Sequence, residues 1–401
     1  MQNKEPLLRV EHLCQYFRME GGELKAVDDI NFQINKGEVF GLVGESGCGK
    51  TTTGRTIIKL YEATSGSVYF NGIRITAGTR SYEDAIRKAR ADYQASLKAL
   101  DKSSPDYASK KESLSQALKA AVASNREQIK SARTDTAQCD KAFAKKKVEE
   151  AKAYHKAHPE QSAKEYSCML RKARKARVIT SIQMIFQDPI ASLDPRMTVR
   201  EIIAEGLIIQ GEKDQELITQ KVNEMLEMVG LVAEHASRYP HEFSGGQRQR
   251  IGVARSIIMN PDLIIADEPV SALDVSIQAQ VINLLNDLRK KFGLTLLFIA
   301  HDLSVVKYFS DRIGVMYYGN MVELASSDEL FKHPLHPYTK SLLSAIPLPD
   351  PIYEKSRKRI TYNPLLEHDY STDKPSFREI SKGHFVKCND AEFEKYKREL
   401  N

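Results

Sequence analysis

The sequence lacks any long apolar run. Its longest, such as "LTLLFIA" and "LIIA", fall far short of the roughly 20 residues that span a bilayer as a helix. The opening stretch "MQNKEPLLRV" turns polar too soon for a secretory leader. The chain is therefore expected to be soluble by itself, with any membrane association made through a partner. Cysteine is scarce: Cys14, Cys48, Cys139, Cys168 and Cys388 are scattered through 401 residues with no CxxC pair. That pattern excludes a disulfide framework and a zinc site and points to a reducing compartment. Tryptophan is absent as well, which decides nothing. An excess of either charge is also missing, since the formal net is only +6. What remains is a chain long enough for two or three domains with a large core.

Glycine is missing from one long segment, 80–177, which is rich in Ala, Lys, Glu, Gln and Ser. Breaks occur only at "SSPD" and "HPE". Such residues suit long helices. Larger side chains recur at Tyr82, Ile86, Ala89, Tyr93, Leu97 and Leu100, and again at Leu114, Leu118, Ala121, Asn125 and Ile129. Steps of three and four predict one apolar seam, as in a helical hairpin or coiled coil of two helices of about forty residues, each roughly 60 Å long. The segment carries about ten net positive charges, so the positive balance of the chain is local to it. Residues 1–79 and 178–345 read instead as ordinary α/β sequence. From about Pro347 the chain is Pro-punctuated and charged, and an extended tail that packs only in part is expected.

The chemistry sits in the α/β parts. "VFGLVGESGCGKTTTGRTII" reads as strand, glycine loop and helix, and Gly44–Thr51 fits G-x-x-x-x-G-K-[ST]. In such a loop the backbone N–H groups of Gly44, Glu45, Ser46, Gly47, Cys48 and Gly49 curl around a phosphate. Lys50 reaches the terminal phosphates as a point charge, Thr51 Oγ1 ligates Mg²⁺, and Thr52 is expected to bind the nucleotide beside it. A glycine-rich turn without a ligand would need neither the flanking strand and helix nor the Lys-Thr pair.

"PDLIIADEPVSALD" places Asp267 and Glu268 at the end of an apolar strand. Beside a phosphate loop, the first acid suits Mg²⁺ and the second can take a proton from an attacking water. Three further polar residues end strands or follow the acids. Gln187 in "SIQMIFQ" can ligate Mg²⁺ or orient water, or simply be a polar strand end. His301 in "LTLLFIAH" can meet a terminal phosphate or be an edge histidine. Asp274 in "SALD" can be a turn cap. A second small-residue helix start, "HEFSGGQRQR", also looks like an anion site, yet it holds no Lys, Mg²⁺ ligand or base.

Taken in order, these pieces resemble the ATPase subunit of ABC transporters. The phosphate loop is Gly44–Thr51 and the glutamine loop is at Gln187. The signature is "FSGGQ", Phe243–Gln247, with Phe243 where Leu is usual. The acidic strand is Leu263–Glu268, the D-loop is Ser271–Asp274, and the switch histidine is His301. "RYPHEFSGGQRQRIGVARSI", "DEPVSALDVSIQAQVINLL" and "HPLHPYTKSLLSAIPLPDP" narrow the resemblance to the oligopeptide-permease ATPases, second-subunit type. The resemblance implies an α/β P-loop NTPase of ABC type. It would have a mixed sheet core, an antiparallel β subdomain and a helical subdomain, interrupted by the long helical insertion. An ATPase domain is expected over 1–345, broken by 80–177, with the signature subdomain at about 188–260 and a permease-type extension over 346–401. Within this family an aromatic near the N-terminus stacks on adenine; Phe17 in "LCQYF" aligns best and Tyr16 next.

The same resemblance explains the second anion site. Two ATPase domains pack head to tail, so Ser244, Gly245, Gly246 and Gln247 would grip the nucleotide held by a partner's loop, with Asp274 nearby. Implied ligands are ATP and Mg²⁺, the ion held by Thr51, Asp267 and Gln187. Glu268, Gln187 and His301 would be the hydrolytic residues. Implied partners are a second ABC ATPase subunit, two transmembrane permease subunits and, indirectly, an extracellular solute-binding protein. The setting would be the cytoplasmic face of a bacterial cell membrane. An importer of another solute, an oligosaccharide or nickel, fits the ATPase sequence equally, because this subunit never touches the solute. A soluble ABC ATPase acting on nucleic acid or ribosomes fits less well, since such chains commonly hold two ATPase halves; no nucleic acid is expected as a partner.

Two features depart from the family as we read it. Many relatives carry a cysteine cluster in the extension, where only Cys388 stands here, so no metal cluster is expected. The 80–177 segment also replaces a much shorter connection. It reads as a docking arm for a protein, as a basic contact with lipid headgroups or nucleic acid, or as a tolerated solvated insertion.

Overall fold

The computed structural model describes residues 5–101, 105–271, 273–346 and 359–400. Ser103 and Ser104 of the "SSPD" break, Ala272 of "SALD" and residues 347–358 of the tail lie outside the described residues.

The chain begins with two long strands, β1 (Leu8–Met19) and β2 (Gly22–Ile34), then β3 (Val39–Val43), helix α1 (Lys50–Ile57), β4 (Ser65–Phe70) and β5 (Ile73–Ala77). Strands β1, β2, β4 and β5 form an antiparallel sheet in the order β2-β1-β4-β5. Strand β3 leaves it to seed a second sheet. After the 80–177 segment come α5 (Val178–Ser181), β6 (Ile182–Ile185), α6 (Val199–Ile209), α7 (Gln215–Met228), α8 (Gly245–Ile257) and β7 (Leu263–Asp267). Then follow α9 (Val275–Phe292), β8 (Thr295–Ala300), α10 (Leu303–Phe309), β9 (Arg312–Tyr317), β10 (Asn320–Ser326), α11 (Ser327–Lys332) and α12 (Pro337–Ser344).

In the second sheet β9, β3, β8, β7 and β6 lie side by side and parallel. Every residue of β3, β7 and β8 is buried. Their sequences VFGLV, LIIAD and TLLFIA are apolar almost throughout because both faces of this sheet are covered. On one face the antiparallel sheet supplies Leu8, Leu13, Ile30 and Phe70 against Phe40, Leu42, Ile265 and Ile299. On the other, α6, α7 and α8 supply Ile203, Val222, Leu226 and Val253 against Val39, Ile264 and Leu296. The mixed sheet, antiparallel subdomain and helical subdomain are those that the sequence leads one to expect. The C-terminal ends of the neighbouring parallel strands β3, β8 and β7 lie together, and the residues that follow them form the site.

The 80–177 segment differs from the expected pair of forty-residue helices. Its described residues hold three: α2 (Arg80–Ala99), α3 (Tyr107–Ala157) and α4 (Ala163–Arg174). Helix α3 has 51 residues and extends roughly 75 Å at 1.5 Å per residue. The "HPE" break follows the end of α3 and stops it rather than interrupting a hairpin. Ser162 and Glu165 then start α4 with a reciprocal capping box. The segment is also anchored. Phe143 is fully buried, its ring 5.9 Å from that of Phe70. Lys146 Nζ donates to the Asn71 carbonyl at 2.6 Å, and Lys147 Nζ pairs with Asp262 at 3.1 Å. Phe143 lies outside the predicted seam, which is why the docking of α3 on the body was not anticipated.

The tail corrects another expectation. Residues 359–400 include β11 (Ser376–Ser381), β12 (His384–Cys388) and a last helix, Asp390–Leu400. Strand β12 pairs with β10, so the main sheet grows to the order β11-β12-β10-β9-β3-β8-β7-β6. Ile380, Val386, Cys388 and Tyr396 bury one another there with Leu335. Strands of six and five residues, with few apolar positions between charged ones, were too short a signal to separate from a charged tail.

This junction titrates. His336 caps α12, its Nδ1 accepting from Tyr338 N at 3.1 Å. Burial lowers its pKa to about 3, with the His368, Lys387 and Lys340 charges acting in the same direction. The folded state thus holds His336 neutral, whereas the unfolded chain protonates it near pH 6.5. Stability from this group is fully present above about pH 6.5. It is lost by about 1.4 kcal/mol per pH unit below that, until the folded pKa is reached. The melting temperature of the wild type is expected to fall more between pH 7.5 and 5.5 than that of His336→Asn, which keeps a cap without a titrating ring. Equal falls would contradict the assignment.

Candidate nucleotide site

The phosphate loop is shaped by two glycines whose Cβ positions are occupied by backbone. At Gly44, φ +150°, a Cβ would lie 2.2 Å from the Met316 carbonyl oxygen; at Gly49, φ +104°, it would lie 2.1 Å from that of Ala26. No other residue fits either place. The second contact also brings the β1–β2 hairpin beside the loop. The loop ends at Lys50, the first residue of α1, whose open N–H groups make the helix start an anion site. Lys50 is 3 % exposed, and its Nζ donates to the carbonyls of Gly44 at 2.8 Å and Glu45 at 2.9 Å. An ammonium folded over its own loop in this way is placed to exchange those carbonyls for phosphate oxygens. Burial pushes the Cys48 thiol up, with Lys50 opposing.

Asp267 ends β7 and is fully buried. Thr51 Oγ1 donates to its Oδ1 at 2.8 Å, while Oδ2 has no partner. Burial raises the Asp267 pKa, and the Thr51 bond opposes the shift. An orphaned buried carboxylate oxygen beside a threonine hydroxyl fits a divalent cation and its water shell. Gln187, the third expected ligand, does not join this pair. Its Nε2 donates to Glu268 Oε2 at 3.0 Å, and among the described residues it makes no bond to Thr51 or Asp267.

Glu268 follows at φ +43°. That left-handed conformation is costly for a residue with a side chain. Its backbone is fixed by Glu268 N donating to the Ile299 carbonyl at 3.0 Å. His301 Nδ1 lies 3.2 Å from the same Oε2 that Gln187 holds. Glutamine loop, acidic strand and histidine therefore converge on one carboxylate. Together with Ser46, Asp188 and Ser271 they line an open cleft of about 660 Å³. The role of Asp188 was missed. Its carboxylate accepts from Ile190 N at 2.7 Å and Ala191 N at 3.1 Å, shaping the glutamine loop. The "QDP" triplet was the available signal.

The signature is elsewhere. Ser244 caps α8 in a box with Gln247, whose Oε1 accepts from Ser244 N at 3.0 Å. Ser244 and Gly245 are exposed, and no signature residue lines the cleft. A Cβ on Gly246 would meet Ile277 Cγ2 at 2.7 Å, so this glycine also lets α8 pack against the start of α9. Asp274 occupies the N-cap of α9 but makes no side-chain capping bond, against the turn-cap reading. Phe243 is buried in the helical core. Phe17 stands edge-on to Tyr61 with 5.3 Å between ring centroids, while Tyr16 Oη donates to Asp28 at 2.5 Å.

The family model described as ABC transporter matches residues 27–167 and 111–271. The chain belongs to the ABC transporter family. It carries that family's ATPase domain. A second model, the oligopeptide/dipeptide transporter C-terminal region, matches residues 322–377. The chain is 48 % identical to the oligopeptide transport ATP-binding protein OppF of Bacillus subtilis over 393 residues, 98 % of this chain and 99 % of that one. It is 42 % identical to the oligopeptide transport ATP-binding protein AmiF of Streptococcus pneumoniae, covering 99 % of each. Among solved structures, the ATP-binding cassette MJ0796 in a dimeric, post-hydrolysis state with ADP and Pi superposes with a TM-score of 0.51 at 21 % identity. It covers 80 % of this chain and 98 % of its own, and the likeness shows the shared ABC ATPase fold.

Proposed function

We propose that this ABC ATPase powers an importer for oligopeptides or dipeptides at the inner face of a bacterial cell membrane. The observation that carries the site chemistry is Glu268, strained into the cleft and held at one oxygen by Gln187 and His301. The peptide assignment is supported by the full-length likeness to oligopeptide transport ATP-binding proteins and by the matched C-terminal region. Importers of oligosaccharides or nickel, and a role on ribosomes, find no such support.

ATP is the substrate of the cleft. Backbone N–H groups of Ser46–Lys50 cradle its phosphates, Lys50 gives up its loop carbonyls for them, and Phe17 is the residue for adenine. Thr51 and Asp267 would hold Mg²⁺, with Gln187 as the third candidate; the ion would neutralise charge building on the β- and γ-phosphates. Glu268 accepts a proton from water as its oxygen attacks the γ-phosphorus, and the bond to the β–γ bridging oxygen breaks to give ADP and phosphate. Gln187 and His301 aim the carboxylate and the water. Ser244, Gly245, Gly246 and Gln247, with Asp274 nearby, clamp the nucleotide on a partner's loop. Loss of the γ-phosphate removes that bridge, a differential contact able to open the dimer. No described helix is long and apolar enough to cross a membrane. The partners in this reading are two permease subunits, a sister ATPase and, indirectly, an extracellular solute-binding protein.

The test is purification of the intact complex from its native membrane, with identification of its chains. A sister ATPase and two membrane subunits are expected. Recovery with ribosomes, and without membrane subunits, would overturn the proposal.

A further inference from the structure

The phosphate loop is tethered from outside its own motif. Glu45 N–H donates to Tyr338 Oη at 3.1 Å. Tyr338 stands in α12, 293 residues further along the chain, and is 1 % exposed. Its ring lies 4.4 Å from that of Tyr317 and 5.6 Å from that of Tyr362. Tyr317 directly follows Met316, whose carbonyl abuts Gly44. Tyr362 belongs to the segment beyond α12. The phenol is thus wedged between the strand that shapes the loop and the C-terminal extension.

The approach of α12 is fixed by a buried acid. Glu323 on β10 is fully buried; its carboxylate accepts from Leu335 N at 2.8 Å and His336 N at 3.0 Å. Its Oε1 also lies 2.8 Å from His384 Nε2 on β12. One continuous path of hydrogen bonds and packed rings then runs from the extension strand through Glu323 and α12 to the loop. From the other side, Gly319 N, in the β9–β10 turn, donates to the Cys48 carbonyl at 3.0 Å.

We infer that Tyr338 is a positioning residue of the ATP site, through which the C-terminal extension holds the first turn of the phosphate loop in its binding-competent form. The inference rests on nucleotide binding at Gly44–Thr51. Glu45 is the loop residue next to Gly44, at the point where the chain leaves β3. Without its acceptor the loop start samples other conformations, and apparent affinity falls in proportion to the competent fraction. Tyr338 Oη approaches no group of the hydrolytic trio among the described residues, so turnover at saturation should be spared.

The experiment compares Tyr338→Phe with Tyr362→Phe in the full chain. Tyr338→Phe keeps the ring packing and deletes only the acceptor. Tyr362→Phe deletes a hydroxyl from the same cluster that makes no bond to the loop. Binding of a trinitrophenyl-ATP probe is measured by fluorescence, and KM and kcat for ATP in the assembled complex. Tyr338→Phe is expected to weaken binding and raise KM about fivefold to tenfold, with kcat within about twofold. Tyr362→Phe is expected to match the wild type. Wild-type affinity in Tyr338→Phe, or equal losses in both variants, would overturn the inference. Failure of the wild type itself to bind the probe, unlike either result, would overturn the nucleotide site and the tether with it.

Discussion

Glu268→Gln is expected to lower ATP turnover at this chain's loop at least about 100-fold, the usual span of general-base catalysis, while ATP still binds. The substitution keeps the size and planar shape of the side chain. Its amide oxygen can still accept from Gln187, so the positive φ and the local packing have no reason to change. Only the capacity to take a proton is removed. The γ-phosphate then stays in place, and the complex should accumulate with its ATPase subunits closed on nucleotide. Phosphate release, probe binding and the size of the ATP-bound assembly read these three consequences separately. Unchanged turnover would mean that the base lies elsewhere, despite Gln187 and His301 both meeting Oε2.

Ser244→Arg tests the proposal that the nucleotide site is shared between two subunits. Its cost to this chain's own fold is modest, about 1 kcal/mol for a lost N-cap with some repulsion from the helix dipole. At the partner's loop the expected effect is much larger. A bulky side chain takes the place of the hydroxyl and backbone N–H groups that should meet phosphate, and closure should fall with hydrolysis there by at least about tenfold. Binding at Gly44–Thr51 of the mutated chain should stay within about twofold. Single-turnover hydrolysis in complexes with only one competent loop makes the distinction. Normal closure and hydrolysis at the partner's loop would return "SGGQ" to being an ordinary helix start.

How much of this was legible in the sequence depends on how local each signal is. The phosphate loop, the acidic strand and the signature are contiguous, and their backbone requirements select residue types directly: Gly44 and Gly49 stand where carbonyls leave no space for a Cβ. Buried parallel strands announced themselves as apolar runs. Gln187 and His301 were legible only in order with the other motifs, because a polar residue ending a strand has many innocent causes. Long-range pairings were not legible at all. Nothing in "HPLHPYT" says that its tyrosine meets Glu45. Nor does a lone Phe143 in a Lys-rich helix announce that it is the anchor of the insertion. The tail was misread because its strands are short and carry charged residues, Arg378 and Glu379 in β11 and Lys387 in β12, and their apolar positions find partners only when β10 offers an edge. Sequence gives residue preferences along the chain, whereas these features depend on what another segment supplies.

The most direct measurement is uptake of a labelled oligopeptide into vesicles reconstituted with the complete complex and its solute-binding protein. Uptake is predicted to require ATP on the side facing this subunit and to be abolished by Glu268→Gln in this chain together with the equivalent change in the sister subunit. Peptide uptake that proceeds without ATP, or that survives those changes, would contradict the account.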